Sequence, residues 1–156
     1  PKMEFIVTKS NADQGGARIN TLLDIAEQKQ NNLHVFTSLG IRRYLSLMKY
    51  SECVLGNSSS GIIEAPAFHI PTVNIGDRQK GRLRSESVIN CGIKTDDIVN
   101  ALNKALSEEH RKKCKNVVSL YGDGHASERI AEQTVKTVLE ERIDLKKKFY
   151  DLYKSR

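Results

Sequence analysis

Short apolar runs alternate with stretches in which apolar residues recur every three or four positions, and this alternation restricts the fold more than any other feature of the chain. Phe5-Ile6-Val7, Leu33 to Phe36, Cys53-Val54-Leu55, Thr72-Val73-Asn74-Ile75 and Ser87-Val88-Ile89 read as strands. Helical spacing runs from Gly16 to about Gln30 through Ile19, Leu22, Leu23 and Ala26, and again through Ile41, Tyr44, Leu45 and Met48. A short helix is expected from Gly61 to Phe68. Beyond the fifth strand only helices are expected, at about Asp96 to Ser107, His110 to Leu120 and Ala126 to Ile143. The last places Ile130, Thr134, Val135, Val138 and Leu139 on one side. Strands alternating with helices imply βαβ units with right-handed crossovers. The strands are continuous apolar runs, as expected when both faces of a parallel sheet are buried. The expected fold is therefore α/β, with a Rossmann-like parallel sheet.

The 156 residues suit one domain with a real core, and 38% apolar with 28% charged residues excludes a disordered or collagen-like chain. No apolar run approaches the ~18–20 residues that cross a bilayer, and no charged-then-apolar leader opens the chain, so no membrane partner is expected. The start, Pro1-Lys2-Met3, reads as a segment of something longer rather than a processed terminus. Cys53, Cys91 and Cys114 are odd in number and widely spaced, without CxxC, which argues for free thiols in a reducing cytoplasm. His34, His69, His110 and His125 show no ligand spacing, so neither a metal nor a cofactor is expected.

The net charge of +6 is concentrated in two places. Arg78, Lys80, Arg82 and Arg84 lie in a loop between two strands with no acid among them. Lys146, Lys147, Lys148, Lys154 and Arg156 dominate the segment 144–156, which reads as a basic C-terminal tail or helix extension on a domain spanning 1–143. Such a tail is ordinarily a solvated helix face, and with few aromatics interleaved it implies no nucleic-acid partner.

In open parallel sheets ligands sit beyond the carboxyl ends of the strands. The loops there are 8–16, 37–40, 56–61 and 76–84. Gly56-Asn57-Ser58-Ser59-Ser60-Gly61 carries a strand through three serines into a helix start. A serine-capped N-terminus with free N–H groups suits phosphate, the hydroxyls adding donors. No Gly-Lys-Ser/Thr follows, so this is not a Walker loop, and an ordinary capped helix is the plain alternative. Glu64 lies one helical turn on, where a carboxylate near phosphate needs another partner. A ribose diol would donate from both hydroxyls to one carboxylate, whereas a surface glutamate needs none. Gly76-Asp77-Arg78-Gln79-Lys80-Gly81-Arg82 can set a planar guanidinium of Arg78 or Arg82 against a diphosphate. Asn11 and Gly15-Gly16 lie after the first strand and could line the same crevice.

These segments carry a resemblance. GNSSSGIIEAPAFHIPTVNIGDRQKGR, with Glu86 and Ser87-Val88-Ile89 after it, resembles the UDP-N-acetylglucosamine 2-epimerase family, hydrolysing branch. TKSNADQGG near the start and YGDGHASERI from Tyr121 to Ile130 resemble further family segments in the same order, so the likeness extends to about Ile143. It implies the C-terminal half of a two-domain, glycosyltransferase-B-like fold that holds a UDP-sugar between its halves. By motif position, Ser58 and Ser59 would hold the UDP phosphates, Glu64 the ribose hydroxyls, and Arg78 and Asn11 further parts of the nucleotide; Ser60, Gly61, Gln79 and Arg82 are secondary candidates. The family's acid–base groups belong to the other half or the join, so no catalytic residue is assigned here. The chain alone is expected to bind nucleotide weakly without turnover, and the full-length protein to be a homo-oligomer.

Non-hydrolysing relatives tend to carry Asp-Ser-Gly-Gly and Thr-Glu-Arg-Pro-Glu, where this chain has Asn57-Ser58-Ser59-Ser60-Gly61 and Asp77 to Arg82. The implied reaction converts UDP-N-acetylglucosamine and water to N-acetylmannosamine and UDP, for sialic or related nonulosonic acid synthesis. The competing readings are a UDP-diacetamido-sugar 2-epimerase, a non-hydrolysing epimerase, a glycosyltransferase of the same architecture, and a binding module acting through the basic tail.

Overall fold

The computed structural model describes residues 3–11, 15–140 and 146. They form two compact units, Pro1–Val118 and Ser119–Arg156. The tail expected over 144–156 lies outside the described residues apart from Lys146.

The first unit runs β1 (Phe5–Thr8), α1 (Gly16–Lys29), β2 (Leu33–Phe36), α2 (Gly40–Tyr50), β3 (Val54–Gly56) and α3 (Ser60–Ile63). A 3-10 turn over Ala65–Phe68 follows, then β4 (Thr72–Ile75), β5 (Val88–Cys91), α4 (Thr95–Ala105) and α5 (Glu108–Lys115). The five strands appear where the apolar runs place them, and every pairing is parallel. They form two ladders, β1–β2 and β3–β4–β5, where the periodicity suggested one sheet. Burial on both faces holds only for the centre of the second ladder. Thr72, Val73 and Asn74 of β4 are all buried, whereas Ile6 and Phe36 of the first ladder are exposed. The reason is β4's position, with strands on both sides and a helix on each face.

On one face, Val73 packs with Ala101 and Ala105 of α4, flanked by Cys53, Ile75, Ile89 and Cys91. Alanines let the helix backbone come close to the strand, which is how short side chains still fill the layer. On the other face, α3 descends on β4 through Gly61. A Cβ there would lie 2.7 Å from Thr72 Cγ2 and 3.5 Å from Val54 Cγ1.

Two helices depart from their expected spans for local reasons. The helix expected over Gly61 to Phe68 divides because Pro66 has no N–H for the fourth-neighbour bond. The chain then tightens, with Ala67 N–H bonding the Glu64 carbonyl, and stops at His69, whose φ of 59° is left-handed. The helix expected to begin at His110 begins at Glu108, because Ser107 Oγ accepts from His110 N–H at 3.3 Å. Glu108 and Glu109 occupy its first turn and Lys112, Lys113 and Lys115 its last, as the helix dipole favours. It ends at Lys115 rather than Leu120, and Val117 turns inward to be buried.

The second unit contains α6 (Ala126–Glu140). Its approach is built around Asp123, which accepts both guanidinium arms of Arg129 at 2.9 Å and the His125 N–H at 3.0 Å. The Arg129 hydrogen bonds, and then the backbone N–H, lower the Asp123 carboxyl from 3.8 to about 2. Ile130, Val135, Val138 and Leu139 are exposed along α6. Among the described residues no helix is long and apolar enough to cross a membrane.

Two measurements follow from this packing. Gly61→Ala should lower stability by about 1–3 kcal/mol, because an added methyl forces α3 off β4. Urea unfolding reads this, and an unchanged midpoint contradicts the close approach. A depressed folded-state pKa contributes stability that is present above 3.8 and disappears as pH falls through about 2. Carboxyl-carbon NMR should therefore find Asp123 titrating near 2, and Arg129→Ala should return it towards 3.8. An Asp123 titration indifferent to Arg129→Ala contradicts the pairing.

Candidate nucleotide site

The ladder fixes where the loops emerge. Gly56, the last residue of β3, is in register with Asn74 near the end of β4. Both following loops, 57–59 and 76–84, therefore open at the same edge of the sheet, the edge where parallel α/β folds receive ligands.

The serine loop is built differently from a side-chain-capped helix. Ser59, at the N-cap, is helical (φ −61°, ψ −25°) and makes no side-chain cap bond. Instead Ser58 Oγ accepts the Ser60 N–H at 3.3 Å, a local serine turn. Ser60 Oγ accepts a 2.9 Å hydrogen bond from the Tyr44 hydroxyl of α2, which leaves the serine proton to be donated elsewhere. Ser58 is exposed and Ser59 half-buried, so neither is sealed in the core. With four residues, α3 has little macrodipole. Its capacity for an anion rests on the Gly61 N–H, since the Ser60 N–H goes to Ser58 Oγ and the Ile62 N–H to the Ser59 carbonyl, and on the hydroxyls.

Glu64 sits at the junction of α3 and the 3-10 turn, its N–H on the Ser60 carbonyl at 2.9 Å. Its Oε2 is buried and accepts no hydrogen bond from the described residues. A carboxylate oxygen in that condition is costly until a donor reaches it. Paired hydroxyls from a ligand fit that requirement.

The basic loop divides into exposed and buried parts. Arg78 and Arg82 are exposed, while Gln79 between them is only 5% exposed. Gln79 Nε2 donates to the Asn57 carbonyl at 2.8 Å. Its own carbonyl accepts from Arg84 Nη2 at 2.6 Å and from the Arg82 N–H at 3.3 Å. The structure thus links Ser58, Ser59, Ser60, Gly61 and Glu64 with the loop of Arg78, Gln79 and Arg82. Asn11 stands apart in the pairing scheme. It follows β1 in the other ladder, exposed, with its backbone pressed so close to Gly16 that a Cβ there would strike the Asn11 carbonyl. That loop is secured to α1, since Ser10 N–H donates to Asn20 Oδ1 at 2.8 Å and Asn20 Nδ2 to the Ser10 carbonyl at 3.2 Å.

Sequence reasoning missed three participants. Tyr44 reads in the sequence only as one apolar position of a helix. The Asn57 carbonyl has no sequence signal at all. Asn74 did leave one, a polar residue inside an apolar strand. It is 1% exposed, donates to Asn90 Oδ1 at 2.8 Å, and keeps its own Oδ1 buried without a partner among the described residues. No thiol competes as a nucleophile in this region: burial pushes the Cys53 thiol up to about 11, the backbone N–H of Val73 offsetting this only in part.

Comparison with known proteins supplies the family. Residues 1–134 match the family model for UDP-N-acetylglucosamine 2-epimerase. A GDP/UDP-N,N'-diacetylbacillosamine 2-epimerase (hydrolyzing) of Campylobacter jejuni is 41% identical over 149 residues, 95% of this chain and 38% of that protein. Polysialic acid biosynthesis protein P7 of Escherichia coli is 40% identical over 106 residues, 68% of this chain and 27% of that protein. The solved UDP-GlcNAc 2-epimerase of Neisseria meningitidis, bound to UDP-GlcNAc, has the same fold with a TM-score of 0.62 at 21% identity, covering 85% of this chain and 36% of that one. The chain spans well under half the length of these relatives. Its α/β fold with parallel ladders and the family match over most of its length place it in the UDP-N-acetylglucosamine 2-epimerase family.

Proposed function

We propose that this chain is the UDP-binding, C-terminal part of a hydrolysing 2-epimerase acting on UDP-N-acetylglucosamine. The observation that carries the reading is the buried, unpartnered Oε2 of Glu64 one turn beyond exposed Ser58 and half-buried Ser59. Ser58 and Ser59 hold the phosphates, with Ser60 and the Gly61 N–H beside them. Glu64 accepts from the ribose diol, Arg78 faces the diphosphate with Arg82 behind it, and Asn11 contributes from the first loop. The hydrolysing branch is supported by the name of the Campylobacter relative, and use in sialic or related acid synthesis by that of the Escherichia relative. The same Campylobacter name supports a diacetamido sugar as the second reading of the substrate.

In the parent reaction a base removes the C2 proton as the C1–O bond breaks. The C2–H electron pair becomes the C1=C2 double bond, and UDP leaves with the C1–O pair. Water then adds at C1 and a proton returns to the opposite face of C2, giving N-acetylmannosamine. The residues of this chain act on the leaving group: hydroxyl and N–H donors and a guanidinium stabilise negative charge as it gathers on UDP. Proton transfer at C2 falls to residues outside this chain. The full-length protein is a cytoplasmic homo-oligomer in this reading, with 1–143 as its nucleotide domain and 144–156 as an extension.

Calorimetry with UDP tests the site. The chain should bind UDP, Ser59→Ala should weaken binding several-fold, and Glu64→Ala on the order of tenfold, the scale of hydrogen bonds to a charged group. UDP lacking both ribose hydroxyls should bind the parent chain as weakly as UDP binds Glu64→Ala, and should not distinguish the two proteins. Equal UDP affinity in all three proteins overturns the assignment. Incubation of the chain alone with UDP-N-acetylglucosamine should release no free sugar.

A further inference from the structure

We infer that Gln79 is a positioning residue, which sets the geometry of the diphosphate grip by clipping the two loops together without touching the nucleotide itself. This rests on the UDP reading and adds a role to a side chain that reading leaves as a secondary candidate contact.

The argument begins where the ladder ends. Gly56 and Asn74 are the last registered pair between β3 and β4. Past that pair β3 and β4 are no longer joined to each other by strand hydrogen bonds, although β4 stays paired with β5 as far as Gly76, and the two loops that follow carry the groups that must meet one ligand. Asn57 directly precedes Ser58, and Gln79 directly follows Arg78. The 2.8 Å bond from Gln79 Nε2 to the Asn57 carbonyl therefore joins the residues adjacent to each anion contact. Gln79 is 95% buried, and its Nε2 is engaged by Asn57 while its Oε1 is enclosed without a partner among the described residues, so it is the amide nitrogen that joins the loops. Its backbone is pinned in turn by Arg84 Nη2 on its carbonyl. A backbone carbonyl beyond a ladder needs a donor once water is excluded, and the amide supplies it. Preorganised donors hold an anion better than donors that must be gathered on binding, because the ordering cost is met during folding.

Two substitutions separate a hydrogen-bonded clip from mere filling of space. Gln79→Met keeps the length and volume and removes the donor. Gln79→Glu sets an acceptor against the Asn57 carbonyl while its carboxyl is ionised and regains an O–H donor when that carboxyl protonates, an event that burial moves to higher pH and that the Arg84 guanidinium, with Arg78, Lys80 and Arg82 in the same loop, moves to lower pH. UDP affinity is measured by calorimetry from pH 5 to 8 beside the unsubstituted chain, with thermal melts to verify folding. At pH 7.5 both variants should bind UDP on the order of tenfold more weakly, the scale of one lost hydrogen bond in an ordered site. As pH falls towards 5, Gln79→Glu should recover relative to the unsubstituted chain, and Gln79→Met should not. A folded Gln79→Met that binds UDP as the unsubstituted chain does overturns the inference and leaves the nucleotide reading standing. Weak binding by both variants with no recovery of Gln79→Glu at low pH also overturns it, since packing alone would then explain the loss. Failure of the unsubstituted chain to bind UDP removes the nucleotide reading, and the inference with it.

Discussion

The close approach of α3 to β4 is the constraint on which the candidate site depends. Hydrogen at position 61 lets a helix start settle directly on Thr72, which holds the serine loop at the carboxyl end of the ladder. The parallel register of β3 with β4 then brings the basic loop to the same edge. A longer side chain at 61 would lift the serines away from Thr72. Packing in the interior and the placement of the candidate site are thus governed by one contact.

The first unit also buries polar side chains. Thr72, Asn74, Gln79, Ser85, Ser87 and His110 are all buried, several with polar atoms that have no partner among the described residues. Such groups cost stability wherever they are incompletely bonded. The apolar layer on the opposite face of β4, with Val73 against the alanines of α4, offsets some of that cost. Sites that recognise polar ligands commonly carry this kind of expense, because donors and acceptors must be in place before the ligand arrives.

The anion-holding capacity also differs in kind from that of a long helix dipole. One turn of α-helix followed by a 3-10 turn supplies little aligned dipole. What remains is local: a serine turn at Ser58, a hydroxyl at Ser60 directed by Tyr44, and the Gly61 N–H. Pro66 is the residue that prevents a longer helix here, and it does so two residues after Glu64.

Much of this was legible in the order of residues. The apolar runs located all five strands, since a short continuous run between helical stretches has few other ways to be buried. Serines followed by a glycine and a glutamate, and a loop rich in arginine, marked the candidate site because donors for an anion must come from a small set of residue types. The tertiary structure alone decided how those loops are held. The Tyr44 hydroxyl reaches Ser60 across 16 residues and the Gln79 amide reaches Asn57 across 22. The division into two ladders and the failure of Ser59 to cap were decided at the same level. Periodicity records which faces of an element avoid water, a property of neighbouring residues; contacts between distant segments depend on how closely backbones approach, and here that distance was set by a missing side chain at Gly61.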